Sequence, residues 1–225
     1  MTEPTQRGRF ISFEGLDGCG KSTQLEKLAA VLRERGIPVV TTREPGGTAI
    51  GERIRGLLLD SRTHGLYPHA EMAMMVASRA QLTGELIRPE LKAGSWVLCD
   101  RYVDSTEAYQ GAGRQLGSEP VRELHRLLCR DLWPDLTILM DSDVSASVQR
   151  ARARNRSAGS AIDENRFEKE SRAFFQRVYD GYHEIARREP QRVVLVDARP
   201  PIPVVHDEIV QIVTQRLPAR GVPEL

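Results

Sequence analysis

A chain of 225 residues, 28% charged and 40% hydrophobic, has the length and balance of one α/β domain with a full core. Its net charge of +1 excludes a global basic field of the kind that coats nucleic acid or grips a membrane surface, so any electrostatic work must be local. The three cysteines, Cys19, Cys99 and Cys129, are odd in number and widely spaced, which fits neither a disulfide framework nor a zinc site and predicts reduced thiols in a cytoplasmic protein.

Residues 1–9 are polar, and no apolar run approaches bilayer length, so neither a secretory leader nor a membrane anchor is predicted. Residues 9–14 form a short β-rich run. Gly15-Leu16-Asp17-Gly18-Cys19-Gly20-Lys21-Ser22-Thr23 follows and fits G-x-x-x-x-G-K-[ST], the phosphate-binding loop of P-loop nucleotide hydrolases and kinases. Leu25, Leu28, Ala29 and Leu32 then recur at helical spacing, so strand, glycine loop and helix come in the order the motif needs. Gly15, Gly18 and Gly20 permit backbone angles closed to other residues, and successive N–H groups can then line a concave anion site at the positive end of a helix. In that geometry Lys21 reaches the β- and γ-phosphates of ATP, and the Ser22 hydroxyl holds Mg²⁺.

Gly36 stops the first helix, and residues 37–42 read as a second strand. Arg43-Glu44-Pro45-Gly46-Gly47-Thr48 is a loop rich in breakers. Ile50, Ile54, Leu57 and Leu58 mark a short helix carrying Arg53 and Arg55. A long helix is predicted over 69–92 from Met72, Met75, Val76, Arg79, Leu82 and Leu86, with Pro89 kinking or shortening its last turn. Arg79, among apolar neighbours, reads either as a snorkelling surface arginine or as a donor aimed into a pocket.

Residues 95–100 form a strand followed at once by Arg101 and Tyr102, which places charged groups where open α/β sheets bind ligands. Tyr102, Thr106, Tyr109 and Gln110 fall at helical spacing, and Gly111-Ala112-Gly113 is expected to end that segment. A helix over 121–129 precedes a buried-looking strand at 136–141. Its terminal Asp141 rivals Asp100 as the carboxylate that assists Mg²⁺, and the sequence does not separate them. A helix over 144–152 leads into an arginine run, Arg150, Arg152, Arg154 and Arg156, then a stretch rich in Ser, Gly and Ala. Phe167, Phe174, Phe175, Val178 and Tyr182 carry a long amphipathic helix. Residues 192–197 form a fifth strand, 202–217 a final helix, and 218 onward a loose tail. Five strands alternating with helices predict a parallel sheet covered on both faces, with right-handed crossovers.

No Asn-Lys-x-Asp guanine motif is present, and a small P-loop domain with many isolated arginines suggests a kinase acting on a phosphorylated small molecule. Four strings occur together and in order: Phe13-Glu14-Gly15-Leu16-Asp17-Gly18, Thr42-Arg43-Glu44-Pro45-Gly46-Gly47-Thr48, Asp100-Arg101-Tyr102 and Ala108-Tyr109-Gln110-Gly111. In these, and across residues 9–215, the chain resembles the bacterial thymidylate kinase family, of the type whose lid carries the arginines.

The resemblance implies a three-layer nucleoside monophosphate kinase fold, a five-stranded parallel sheet of order 2-3-1-4-5, and one domain over 1–225 with a mobile lid at 150–165. It implies transfer of the γ-phosphoryl group of ATP to dTMP with Mg²⁺, in a homodimer, with no nucleic-acid or membrane partner. Residues 15–23 would bind ATP, and Ser22 and Asp100 the metal. Arg55 and Arg101 would hold the dTMP phosphate, Arg79 would donate to thymine O4, and Thr106, Tyr109 and Gln110 would complete the base pocket. Asp17 would lie near the sugar 3′-hydroxyl and the reacting phosphate. Met75 stands where many members carry a phenylalanine that stacks on thymine. Between Gly15 and Gly20 no residue is basic, so the remaining catalytic charge, beside Lys21 and Arg101, is expected from Arg154. The alternatives are another nucleoside monophosphate kinase of the same fold, and an inactive nucleotide-binding regulator. A broken phosphate loop or missing arginines would mark the latter, and neither is seen.

Overall fold

The strand Phe10–Glu14, β1, is buried along its whole length and sits at the centre of the sheet. The computed structural model describes residues 7–157 and 166–218, apart from the side chains of 152, 154–157 and 168. The other strands are β2 (Val39–Arg43), β3 (Trp96–Asp100), β4 (Leu136–Asp141) and β5 (Val193–Asp197). All pairings are parallel and the order is β2-β3-β1-β4-β5, as expected from the resemblance.

Alternation along β1 decides which layer each side chain enters. Ile11 and Phe13 join Leu98, Ile138 and Val196 in a core under the helices α1 (Lys21–Glu34) and α9 (Ile202–Arg216). Phe10 points the other way, with Val97 and Cys99, toward α3 (Pro68–Leu82), α4 (Arg88–Lys92) and α6 (Ser118–Leu128). A third cluster joins Leu16, Leu58, Met75, Tyr109, Phe174 and Val178, which tie the phosphate loop to α2 (Ala49–Leu59), α3 and α8 (Arg172–Arg188). Each such fully buried side chain contributes about 1.5–3 kcal/mol by leaving water. All three cysteines are buried free thiols.

The helix expected over 69–92 departs from a single α-helix. After α3, residues Thr83–Ile87 widen into a π turn before α4 resumes. Pro89 explains this: it lacks an N–H, and its ring would strike the carbonyl four residues back, so the preceding turn opens. A second π turn, Glu107–Gly113, follows the short α5 (Val103–Thr106). The segment ends at Gly113, within the Gly111-Ala112-Gly113 stretch expected to end it. Gly113 also packs closely. A Cβ at Gly113 would lie 2.7 Å from the Phe174 ring, and one at Gly181 on α8 would lie 2.7 Å from Ala112 Cβ. The helix after β4, expected over 144–152, extends as α7 over Val144–Ser157. The rest of the expected lid, 158–165, and the side chains of Arg152, Arg154 and Arg156 lie outside the described residues.

Candidate active site

β1 delivers the chain into the phosphate loop at the C-terminal edge of the sheet. Gly15 and Gly18 have φ of 129° and 82°, and a Cβ would lie 2.6 Å from Met140 O at the first and 2.5 Å from Ser147 O at the second. Only glycine fits either position, in torsion and in space. Gly20, at φ 99°, caps α1 without a side-chain hydrogen bond, and no acid stands in the helix's first turn. The first N–H groups and the positive helix end are thereby kept for an anion. The buried Lys21 donates from Nζ to Gly15 O at 3.2 Å and Leu16 O at 2.9 Å, folded against the loop it serves. Leu16 and Cys19 are buried under the loop, and Thr23 faces the cavity before it.

Ser22 donates from Oγ to Asp100 Oδ2 at 2.5 Å. Asp141, the rival acid, ends a strand on the other side of β1 and pairs with His183 Nε2 at 3.2 Å. The two carboxylates that the sequence left equivalent therefore stand in different surroundings: Asp141 lies near Gly15 and Leu16, and Asp100 is the one bonded to Ser22 and lining the cavity over the loop.

A cavity of about 640 Å³ opens over this loop, lined by five cationic side chains (Lys21, Arg43, Arg55, Arg101 and Arg150) and three carboxylates (Asp17, Glu44 and Asp100). Positive charge is concentrated here in a chain that is nearly neutral overall. Arg55 donates to Pro45 O at 3.0 Å from a helix capped by Thr48, whose hydroxyl accepts from Gly51 N at 3.0 Å. Arg101 sits at φ 72°, a costly conformation for a side-chain-bearing residue. Its guanidinium is held on four sides, at 2.8 Å from Asp17 Oδ1, 2.9 Å from Ser105 Oγ, 3.0 Å from Tyr182 OH and 3.2 Å from Tyr109 OH. Arg150 enters from α7 and donates from Nε to Gly18 O at 2.8 Å.

The residues expected around a base, Met75, Arg79, Thr106, Tyr109 and Gln110, are buried and do not line this cavity; Arg79 adjoins it through Glu44 and Tyr109 through Arg101. Arg79 has no exposed surface, which removes the snorkelling reading. It is paired through Nε and Nη2 with both oxygens of Glu44, and it donates to Thr106 Oγ1. Burial works against the Arg79 charge, and the facing Glu44 more than offsets it. Arg79 Nη1 is buried with no partner among the described residues. Met75 packs in the cluster that holds Leu58, Tyr109 and Phe167. The Gln110 amide donates to Glu71 Oε1 at 2.8 Å.

Three residues of this region carried no assignment in the sequence. Glu14 accepts from Tyr102 N at 2.7 Å, Ser105 Oγ at 2.5 Å and Tyr182 OH at 3.2 Å. Burial, then the charge of Asp104, push its carboxyl up to about 8 against the pull of Ser105, Arg101 and the Tyr102 N–H. Glu14 stands in the Phe-Glu-Gly string before the loop, so its position was visible while its partners were not. Tyr182 read only as one member of an apolar stripe. Glu71 lay at the start of a helix with no signal beyond its charge.

A parallel sheet of order 2-3-1-4-5, with the phosphate loop after its central strand and an arginine-lined cleft at the strand ends, defines a P-loop nucleoside monophosphate kinase fold. The chain belongs to the thymidylate kinase family: its residues 13–209 match the family model described as thymidylate kinase. A thymidylate kinase of Desulfovibrio desulfuricans is 51% identical over 197 residues, covering 87% of this chain and 91% of that one. Another, from Thermomicrobium roseum, is 50% identical over 206 residues, covering 92% and 94%. Among solved structures, a thymidylate kinase from Ehrlichia chaffeensis superposes with a TM-score of 0.73 at 34% identity, over 92% of this chain and 99% of that one.

Proposed function

We propose that this chain transfers the γ-phosphoryl group of ATP to dTMP, giving ADP and dTDP. The observation that carries this reading is one cavity whose lining joins Lys21 and the loop residues Gly18 and Gly20 with Arg55 and Arg101, enough cationic groups for two anions. Phosphoryl transfer needs two mutually repelling phosphates held in line, and the protein's contribution is position and compensating charge. In this reading Lys21 meets the β- and γ-phosphates, while Arg101 and Arg55 hold the acceptor phosphate. Arg101's four bonds fix its guanidinium in advance, and its bond to Asp17 supports a place for that carboxylate near the sugar 3′-hydroxyl and the reacting phosphate. Arginine's planar fork suits phosphate oxygens.

Ser22 Oγ and Asp100 are hard oxygen donors beside the loop, and Mg²⁺ typically takes one or two protein oxygens with phosphates and water for the rest, so the pair fits that ion. When bound there, Mg²⁺ neutralises charge on the transferring phosphates. The base would lie against Met75, with Arg79, Thr106, Tyr109 and Gln110 around it; the unpartnered Nη1 of Arg79 supports donation to thymine O4. The arginine run of α7 supplies further charge over ATP, with Arg154 as the expected contact. Arg150, at Gly18 O, supports the placement of that helix. We take residues 1–225 as one kinase domain whose stretch at 150–165 acts as a lid, cytoplasmic in keeping with three buried free thiols. Among the described residues no helix is long and apolar enough to cross a membrane. The exposed Leu57, Tyr67 and Leu127, on the adjoining α2, α3 and α6 region, support an apolar contact in a homodimer.

The test is ADP formation over a panel of nucleoside monophosphates with ATP and Mg²⁺. dTMP should be the best acceptor, dUMP next, and dCMP poor, because its 4-amino group sets a donor against Arg79. A dCMP kcat/KM equal to that of dTMP would refute the thymidylate assignment.

A further inference from the structure

Three segments far apart in sequence converge on one buried carboxylate. Glu71, on α3, has no exposed surface. Its Oε1 accepts from Gln110 Nε2 at 2.8 Å and from Arg114 Nε at 3.1 Å. Its Oε2 accepts from Arg114 Nη2 at 3.1 Å and from Arg166 Nη1 at 2.7 Å. Arg166 is itself fixed from the far side, through Leu58 O and through its own N–H to Leu59 O at 3.2 Å. Burial alone would raise the Glu71 carboxyl, but Arg114, Gln110 and Arg166 outweigh it and hold the group below its ordinary range. Glu71 is therefore an acceptor with no proton to give.

That has a consequence for Gln110. A glutamine amide has a donor end and an acceptor end of nearly the same shape, and only its neighbours decide which way it faces. Glu71 can take only the donor end. Oε1 is thereby committed to the other direction, and among the described residues no donor meets it. The position of this amide matters. Glu71, Met75 and Arg79 follow one another at four-residue intervals along one face of α3. Thr106 and Gln110 stand on the helical segment opposite. Arg79 is joined to Thr106, and Glu71 to Gln110, so two polar rungs connect the segments with Met75 between them. Among the described residues, one rung leaves the buried Arg79 Nη1 without a partner, and the other leaves Gln110 Oε1 without a donor. Thymine carries an acceptor, O4, next to a donor, N3–H. Cytosine reverses both.

We propose that Glu71 is a specificity-determining positioning residue: by taking the donor end of the Gln110 amide, it commits Oε1 to accept from thymine N3–H beside Arg79's donation to O4. Arg114 and Arg166 keep Glu71 ionised and in place, so the choice of base is set by a carboxylate that never touches the base. This rests on the thymine-site reading above.

The experiment is a cycle of E71Q, Q110A and the double variant, each assayed for kcat/KM with dTMP and with dCMP. Glutamine at 71 can offer either amide end, which lets Gln110 turn over. The dTMP-to-dCMP ratio of E71Q should fall about 10- to 100-fold, the size of one or two mispaired buried groups, with the dTMP loss appearing in KM. The double variant should discriminate no worse than Q110A alone. General loosening would weaken both nucleotides alike and leave the ratio unchanged, which overturns the proposal. So does an E71Q effect of equal size in the Q110A background. A wild-type protein without dTMP preference would instead remove the thymidylate reading itself. Should E71Q be recovered unfolded, the wild type labelled with ¹⁵N-glutamine decides. The Gln110 side-chain N–H protons, assigned by their loss in Q110A, stay protected from exchange with and without dTMP if Glu71 holds them. Loss of that protection on dTMP binding overturns the proposal.

Discussion

The two ends of the cleft use charge differently. On the phosphate side, Lys21 has no carboxylate partner in hydrogen-bonding reach among the described residues; its ammonium rests on two carbonyls of the phosphate loop. The charge is poised against an open cavity and contributes little to holding the fold together. On the base side, Arg79 is entirely buried, matched by both oxygens of Glu44 and bonded across to Thr106. There a charge is part of the core, and its Nη1 is buried without a partner among the described residues. An anion as highly charged as ATP needs cations whose charge is not already matched by a carboxylate, and Lys21, resting on carbonyls, has that property. A neutral base needs fixed donors and acceptors, since its recognition depends on leaving the wrong pattern unpaired.

Breaking this contrast should therefore give opposite symptoms. The largest effect is expected from R79L. It leaves Glu44 buried without its counter-charge, which should destabilise the protein by about 3–5 kcal/mol in urea unfolding. A double change, R79L with E44L, should recover most of that stability, because an apolar pair of similar volume can replace a buried ion pair. It should not recover dTMP binding. A loss in R79L below about 1 kcal/mol, the range of an exposed pair, would show that the Arg79 charge is not part of the core. K21M comes next. Its unfolding midpoint should stay close to the wild type, while kcat falls by about 10²–10³, the range for removing one positioned charge from a transition state. Near-normal turnover in the purified variant would move the ATP site elsewhere.

The same contrast explains what could be read in the sequence. The phosphate loop was legible because its parts are contiguous. Three glycines, a lysine and a serine function through backbone shape, and a strand before and a helix after complete the pattern. Strand number and parallel pairing followed from alternation with helices, whereas the order 2-3-1-4-5 came only with the family resemblance. Asp100 and Asp141 were inseparable because each ends an apolar strand; β1 pairs with both strands, and the difference is side and register, since Phe13 pairs with Asp100 while Glu14 pairs with Leu139, short of Asp141. The base side was opaque for a different reason. Glu71 meets partners 39, 43 and 95 residues away, and Tyr182 meets Glu14 across 168. No local pattern encodes such contacts. Arg79 could be read two ways because a long amphipathic side chain is compatible with surface or core until its partner is known. Gly113 ends its helical segment as expected, but its close approach to the Phe174 ring had no sequence signal, because a helix stop and a close crossing ask for the same residue. The two π turns had no signature beyond Pro89 in one of them.

The smallest effect, and the finest probe of the base side, is M75F. Met75 is buried in the cluster with Leu16, Leu58, Tyr109 and Phe167. Thioether and methyl groups can cover a base face without a ring, and their flexibility fills irregular space. A phenylalanine there would add face-to-face overlap with thymine, a gain of about 0.5–1.5 kcal/mol, if the ring lies flat against the base. The ring is also broader and stiffer than the side chain it replaces, and overpacking a dense cluster commonly destabilises by about 1–3 kcal/mol. Both terms act on the same atoms but are read by different measurements. Titration calorimetry should show dTMP bound several-fold more tightly, while thermal unfolding of the free protein shifts downward. Because Lys21, Arg55 and Arg101 are untouched, kcat should change less than the affinity does. Unchanged or weaker dTMP affinity, alongside the lowered unfolding temperature, would mean that the cluster of Leu58, Tyr109 and Phe167 is built around methionine and holds the new ring out of the stacking plane.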